Sequence, residues 1–310
     1  MSLASRESRF GELVSHFECW RPCPLIAAHR LRPEPFARLR LAAALYIASC
    51  LPDARRVTTE LLADEEQLLA EVERQRPEIR NLTPNGMVVP KRELNLEYNI
   101  FVSAFAGVIA TLGVDDFIDA WIHPPNLRVK EGAPTEDKLA RPFASERWHT
   151  EAWIEMNTSR PVTVMIPLLG DTERNRVRFR APGADFDETW LRPRASYEDG
   201  QAIAARYRDV DLGYEKGFLY VSDAATLHRS ERLPGAGPRA SIDVNFLVRP
   251  AGVRGKAAAP HVTQADLEGI GRKGMFVFSD SMNDHLDTRG GKRHPTERHR
   301  LIRWDSSPRP

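Results

Sequence analysis

Nine histidines occur in the 310 residues, and three of them open a His-x-Asp/Glu triplet: His16-Phe-Glu18, His149-Thr-Glu151 and His285-Leu-Asp287. An imidazole and a carboxylate two positions apart can share one metal ion only where the backbone turns both to the same side. A strand does this, whereas a helix rotates i and i+2 about 200° apart. His16 and Glu18 fall in a helical pattern, and His285 and Asp287 lie among Asn, Asp, Gly and Arg, so both pairs read as surface residues. In the run WHTEAWI, read as a strand, His149, Glu151 and Trp153 share one face. A second imidazole, His228, closes the run GFLYVSDAATLH, 77 residues beyond Glu151, and fits a strand distant in sequence but adjacent in space. Two imidazoles and one carboxylate hold Fe(II) and leave three coordination positions open.

Eleven residues past His228 comes Arg239-Ala-Ser241, opening the run RASIDVNFLV. Its alternation puts Arg239, Ser241, Asp243 and Asn245 on one face and Ala240, Ile242, Val244 and Phe246 on the other. The apolar face needs a packed layer, and the polar face needs a lined cavity rather than a dry core. An arginine in such a cavity suits a carboxylate, which its planar fork grips at two points. A structural ion pair from Arg239 to Asp223 or Asp243 is the other reading of the same residues.

The elements that must position these groups fall into three stretches. Residues 1–130 read as mostly helical: from Pro35 to Gln75 the strong helix formers Ala, Leu, Glu and Arg dominate, with apolar residues three to four apart. A further helix is expected over residues 94–112, and a short one over DDFIDAWI, residues 115–122. Residues 140–250 change grammar, with short apolar or alternating runs (PVTVMIPLL, RVRFRAP, KGFLYVSD, RASIDVNFLV) divided by Gly, Pro, Asp and Asn. Such a pattern belongs to an antiparallel sandwich or jelly roll, not to βαβ alternation. Residues 251–310 are basic and read as part lid, part tail.

His149-x-Glu151, His228 and Arg239-x-Ser241, in that order, resemble the His-x-Asp/Glu…His…Arg-x-Ser pattern of the Fe(II)/2-oxoglutarate-dependent dioxygenases. WHTEAW, VTVMIPLLGD and GFLYVSDAATLHRSER are similar to the branch of phytanoyl-CoA-hydroxylase-like and StrG-like antibiotic-pathway enzymes. The resemblance spans about residues 140–250. It implies a mainly β fold with a helical buttress (α+β): a double-stranded β-helix, cupin-like, preceded by N-terminal helices in one oxygenase domain, 1–310. It implies Fe(II) on His149, Glu151 and His228, with 2-oxoglutarate held by Arg239 and Ser241 and O₂ as the oxidant. Hydroxylation, oxidative ring closure or desaturation of a small polar metabolite would follow. The family's commoner carboxylate is Asp; Glu occurs in clavaminate-synthase-like amino-acid hydroxylases.

For the substrate, Trp153, Asp243 and Asn245 are the candidates on the site's face. Arg141, Arg147 and the charged segment 171–194 are further candidates, with plain surface roles as the alternative. The antibiotic branch implies an aminoglycoside, aminocyclitol or amino-acid-derived intermediate, its amines meeting Asp243. A cupin-like metal-binding protein, an isomerase or a ligand-binding module, would keep the metal ligands and not need Arg239 and Ser241. Forty-four Lys and Arg against 43 Asp and Glu exclude the basic excess of a nucleic-acid or membrane-surface binder. Three cysteines, all within the first 50 residues, make no disulfide framework, and no signal peptide or long apolar run is seen. A cytoplasmic setting is expected.

Overall fold

The computed structural model describes residues 2–15, 17, 23–52, 59–83, 85–88, 95–114, 118–121, 125–153 and 161–248. The expected 251–310 lid, His16 with Glu18, and His285 with Asp287 lie outside the described residues.

Among the described residues nine strands form two antiparallel sheets: β1 Ile26–Arg30, β2 Ile118–Trp121, β3 Asn126–Lys130, β4 Pro161–Gly170, β5 Asn175–Ala181, β6 Arg208–Val210, β7 Phe218–Asp223, β8 Leu227–Arg232 and β9 Arg239–Val248. The larger sheet runs β1-β7-β4-β9-β2, with β3 also on β9; the smaller runs β6-β5-β8. Packed face to face, they make a jelly roll. Among the described residues seven α-helices accompany them: α1 Leu3–Val14, α2 Pro33–Ser49, α3 Thr59–Ala63, α4 Glu65–Gln75, α5 Asn95–Ala110, α6 Glu136–Leu139 and α7 Gln201–Ala204. No helix among the described residues is long and apolar enough to cross a membrane.

The alternation of β9 explains the layering. Ala240, Ile242, Val244 and Phe246 join the main core with Leu39 and Tyr46 of α2, Leu68 and Val72 of α4, and Phe101 and Phe105 of α5. Burying such apolar side chains is worth about 1.5–3 kcal/mol each. The opposite face looks into the gap between the sheets, where Met165, Val177, Phe179 and Tyr220 make a smaller core. Helix α4 starts where Asp64 accepts the Gln67 amide at 2.9 Å, with Glu65 and Glu66 in its first turn.

The stretch expected to be mostly helical also contributes strands. DDFIDAWI gives the strand Ile118–Trp121 on the C-terminal end of β9 rather than a helix. A short apolar run has no period to separate the two states, and an open strand edge decides. β1 pairs with β7 and β3 with β9, so residues well before 140 complete the larger sheet.

Helix α1 reaches the site indirectly. Arg6 donates to Asp223 Oδ1 at 2.9 Å and Arg9 to Oδ2 at 2.7 Å, all three side chains being buried. Asp223 Oδ1 also accepts the Ala225 amide at 2.8 Å, which shapes the turn from β7 into β8. Two residues after that turn's Thr226 stands His228.

Candidate metal centre

His149 and His228 face each other as an isolated antiparallel bridge. The His149 amide donates to the His228 carbonyl at 3.0 Å and the His228 amide returns the bond at 2.8 Å. Directly opposed residues project to the same side, and the two rings lie 4.2 Å apart. Beyond His149 the expected strand WHTEAWI does not continue: Glu151–Trp153 is a 3₁₀ turn. The Thr150 hydroxyl pins this turn by donating to the Ala224 carbonyl at 2.6 Å. The turn, not a pleat, brings the Glu151 carboxylate 3.9 Å from His228 Nε2. One ligand atom from each of His149, Glu151 and His228 lies within 4.8 Å of the others.

The electronic state of the rings suits a metal. His149 Nδ1 lies 2.7 Å from the Arg147 carbonyl, so it carries the proton and leaves Nε2 as a lone-pair donor. Burial, with the neighbouring His228, lowers the His149 pKa to about 3. Burial lowers that of His228 to about 4. Both imidazoles are neutral at pH 7 and ready to bind a cation. Tyr197 stacks on His149, ring centroids 4.2 Å apart and planes 18° from parallel. Burial and Glu151 raise its phenol far above the usual range, so it stays protonated.

The same cavity is lined by Arg239, Ser241, Asp243, Arg128, Lys130 and Tyr214. Arg239 is only 2% exposed, its guanidinium lies 4.9 Å over the Tyr214 ring, and its Nε and Nη1 have no hydrogen-bond partner. Burial raises the Tyr214 pKa, and the neighbouring Arg239 and Ser241 pull against that rise. Neither structural ion pair foreseen for Arg239 forms: Asp223 is taken by Arg6 and Arg9, and Asp243 by Arg128. Unpaired donors in a dry pocket cost about 1–3 kcal/mol each unless a ligand meets them. Lys130 donates to Ser145 Oγ at 2.9 Å, and burial with the nearby Arg128 lowers its pKa to about 7.

Several candidates fall elsewhere. Trp153 is fully buried and donates its indole N–H to the Trp190 carbonyl at 2.7 Å, its ring against Gly200, so it packs with Trp148, Trp190 and Tyr197 instead of walling the pocket. The 3₁₀ turn breaks the i, i+2 relation that would have aligned it with His149. Asn245 accepts from Thr163 Oγ1 at 2.7 Å, between β9 and β4, and does not line the cavity. Arg147 binds Glu198 at 2.6 Å and Arg141 binds Asn85 at 3.1 Å, both outside the cavity lining, and of residues 171–194 only Val177 reaches it. The residues that sequence reasoning missed are Arg128, Lys130, Tyr197 and Tyr214. The first two had a signal: NLRVK alternates as cleanly as RASIDVNFLV, and strand pairing sets Arg128 opposite Ser241 and Lys130 opposite Arg239. Tyr197 and Tyr214 sit in aperiodic stretches.

No family model matches the sequence, and no curated protein matches it. Solved structures are similar to it. One is the non-heme alpha-ketoglutarate-dependent carbocyclase SnoK of nogalamycin biosynthesis, at 14% identity over 80% of this chain and 86% of that one, with a TM-score of 0.40. Another is AviO1 from Streptomyces viridochromogenes Tue57, at 17% identity over 81% and 96%, with a TM-score of 0.39. A third is EctD from S. alaskensis, solved with 2-oxoglutarate and 5-hydroxyectoine, at 18% identity over 83% and 86%, with a TM-score of 0.38.

Proposed function

We propose that this chain is a non-haem Fe(II)/2-oxoglutarate-dependent oxygenase acting on a small polar metabolite. One observation carries the reading. A buried arginine with two unpartnered N–H groups, Arg239, lines the same cavity as two neutral imidazoles and a carboxylate within reach of one ion. A cupin-like metal protein without a co-substrate gives that arginine nothing to bind.

His149 Nε2, His228 and Glu151 would hold Fe(II), a donor set of two imidazoles and one carboxylate that leaves positions open. The bound metal supplies O₂ activation coupled to decarboxylation of 2-oxoglutarate to succinate and CO₂, and with it oxidation of a C–H bond. The chain supplies position and shielding. Arg239, with Ser241 on the same cavity lining, grips the distal carboxylate of the co-substrate, and the Tyr214 ring backs the guanidinium. Lys130, opposite Arg239 on β3, adds a second cation to the same end. Tyr197 covers one face of His149 and keeps water from it.

Anaerobic titration of the Fe(II)-loaded protein with 2-oxoglutarate tests the reading, followed by a succinate assay across polar metabolites. A metal-to-co-substrate charge-transfer band and substrate-dependent succinate are expected. A metal-loaded protein with no such band is the cupin-like alternative.

A further inference from the structure

Asp243 was expected to offer a free carboxylate to a cationic substrate, yet both of its oxygens are engaged. Arg128 donates Nε to Oδ1 and Nη2 to Oδ2, the latter at 2.9 Å, and Asn126 adds a contact to Oδ2 at 3.3 Å. The pairing is built by strand register, since Asn126 lies opposite Asp243 and Arg128 opposite Ser241. A fork gripped along its Nε–Nη2 edge has a fixed plane and leaves the Nη1 side over. The side chain is 29% exposed and lines the cavity, so that remaining edge has access to it. It shares the cavity lining with His149, Glu151, His228 and Tyr197, and stands opposite Ser241 across the strands.

Resting on the oxygenase reading, we propose that Arg128 is the substrate's anchor and that the substrate carries an anionic group, a carboxylate in the first instance. The local charge argues the same way. Glu151 is neutralised by the metal, Asp243 by Arg128, and the co-substrate's distal carboxylate by Arg239. What remains facing the substrate is the outer edge of a guanidinium, to which a polyamine has no complement and an anion has a good one. Asp243 is then a positioning residue that holds the fork, and Asn126 holds Asp243.

The probes are benzoate, phenylacetate and N-acetylglycine, each paired with its primary amide, with spermidine as the cationic control. They are added to the anaerobic Fe(II)·2-oxoglutarate complex and read by thermal shift and by perturbation of the charge-transfer band. At least one carboxylate should bind about tenfold more tightly than its amide, a difference of ~1.4 kcal/mol. Arg128→Gln should erase that preference while its 2-oxoglutarate titration stays within about twofold of wild type. Arg128→Lys should keep part of the preference, and the double variant Arg128→Gln/Asp243→Asn removes the unpaired acid should the single variant fold poorly. Equal binding of amides, preference for spermidine, no carboxylate binding, or a loss of 2-oxoglutarate affinity in Arg128→Gln each overturns the assignment. Absence of the band in wild type counts instead against the oxygenase reading. The carboxylate–amide comparison on metal-free protein then decides on Arg128 separately.

Discussion

Arg239 is the residue on which most depends. Its two unpartnered N–H groups are buried, so a bound carboxylate gains a charge-assisted, two-point contact in a dry pocket. Arg239→Ala should weaken 2-oxoglutarate binding by about 2–5 kcal/mol, roughly 30-fold to several thousand-fold, in an anaerobic titration, with metal affinity unchanged. Lys130 adds a pH dependence. Burial, Arg128, Arg232 and Arg239 lower its pKa to about 7 in the empty pocket, against the opposing pull of Glu146. A bound dianion raises that pKa, so binding takes up a proton, and co-substrate affinity should fall as pH rises above about 7. Lys130→Met should flatten that profile; an unchanged slope would remove Lys130 from the site. The His149, Glu151 and His228 cluster is legible in the sequence because context separates one His-x-Glu from two chance matches and joins it to a second His. Trp153 and Asn245 were misplaced for a local reason, since alternation gives the face of a strand but neither where the strand stops nor which partner already holds an amide.

At the level of elements, the turn from β7 into β8 is held from a distance. Arg6 and Arg9 of α1 converge on the buried Asp223, five residues before His228. Removing the shared carboxylate leaves two buried guanidinium groups without it and costs about 3–5 kcal/mol. Asp223→Asn should therefore lower denaturant stability by an amount of that order and weaken metal binding, although Asp223 is not one of the three residues clustered at the candidate metal centre. Arg9→Ala should cost less, because Arg6 still pairs with Asp223. Full metal affinity in both would show that the turn is set by its own backbone bonds. The strands β4, β5, β7 and β9 could be read because each is an apolar or alternating run of six residues or more bounded by turn residues. β1, β2 and β3 could not, being only four or five residues long and embedded in helical surroundings. Their state is decided by the open edges of β7 and β9, which is tertiary information.

Across the whole molecule, burial of two histidines ties stability to pH. Their folded pKa values, about 3 for His149 and about 4 for His228, lie below the ordinary 6.5. Below about pH 6.5 the unfolded chain takes up protons that the folded one refuses, so stability falls as pH drops toward 4, at ~1.4 kcal/mol per unit of pKa difference. Thermal melts of metal-free protein at pH 7 and 4.5 should differ accordingly, and His228→Asn should narrow the gap. Loading the metal should raise the pH 7 melt, because the ion binds the folded state alone. The placement of the two ends of the cavity has one more consequence. His228 belongs to the small sheet and Arg239 to the large one, so the span from metal ligands to guanidinium is set by how the two sheets stack, not by any single strand. That stacking acts as a ruler. Oxaloacetate, one methylene short, should chelate the metal and fail to reach Arg239, and 2-oxoadipate, one too long, should buckle. A core substitution between the sheets such as Phe179→Leu should blunt this choice of chain length before it abolishes turnover.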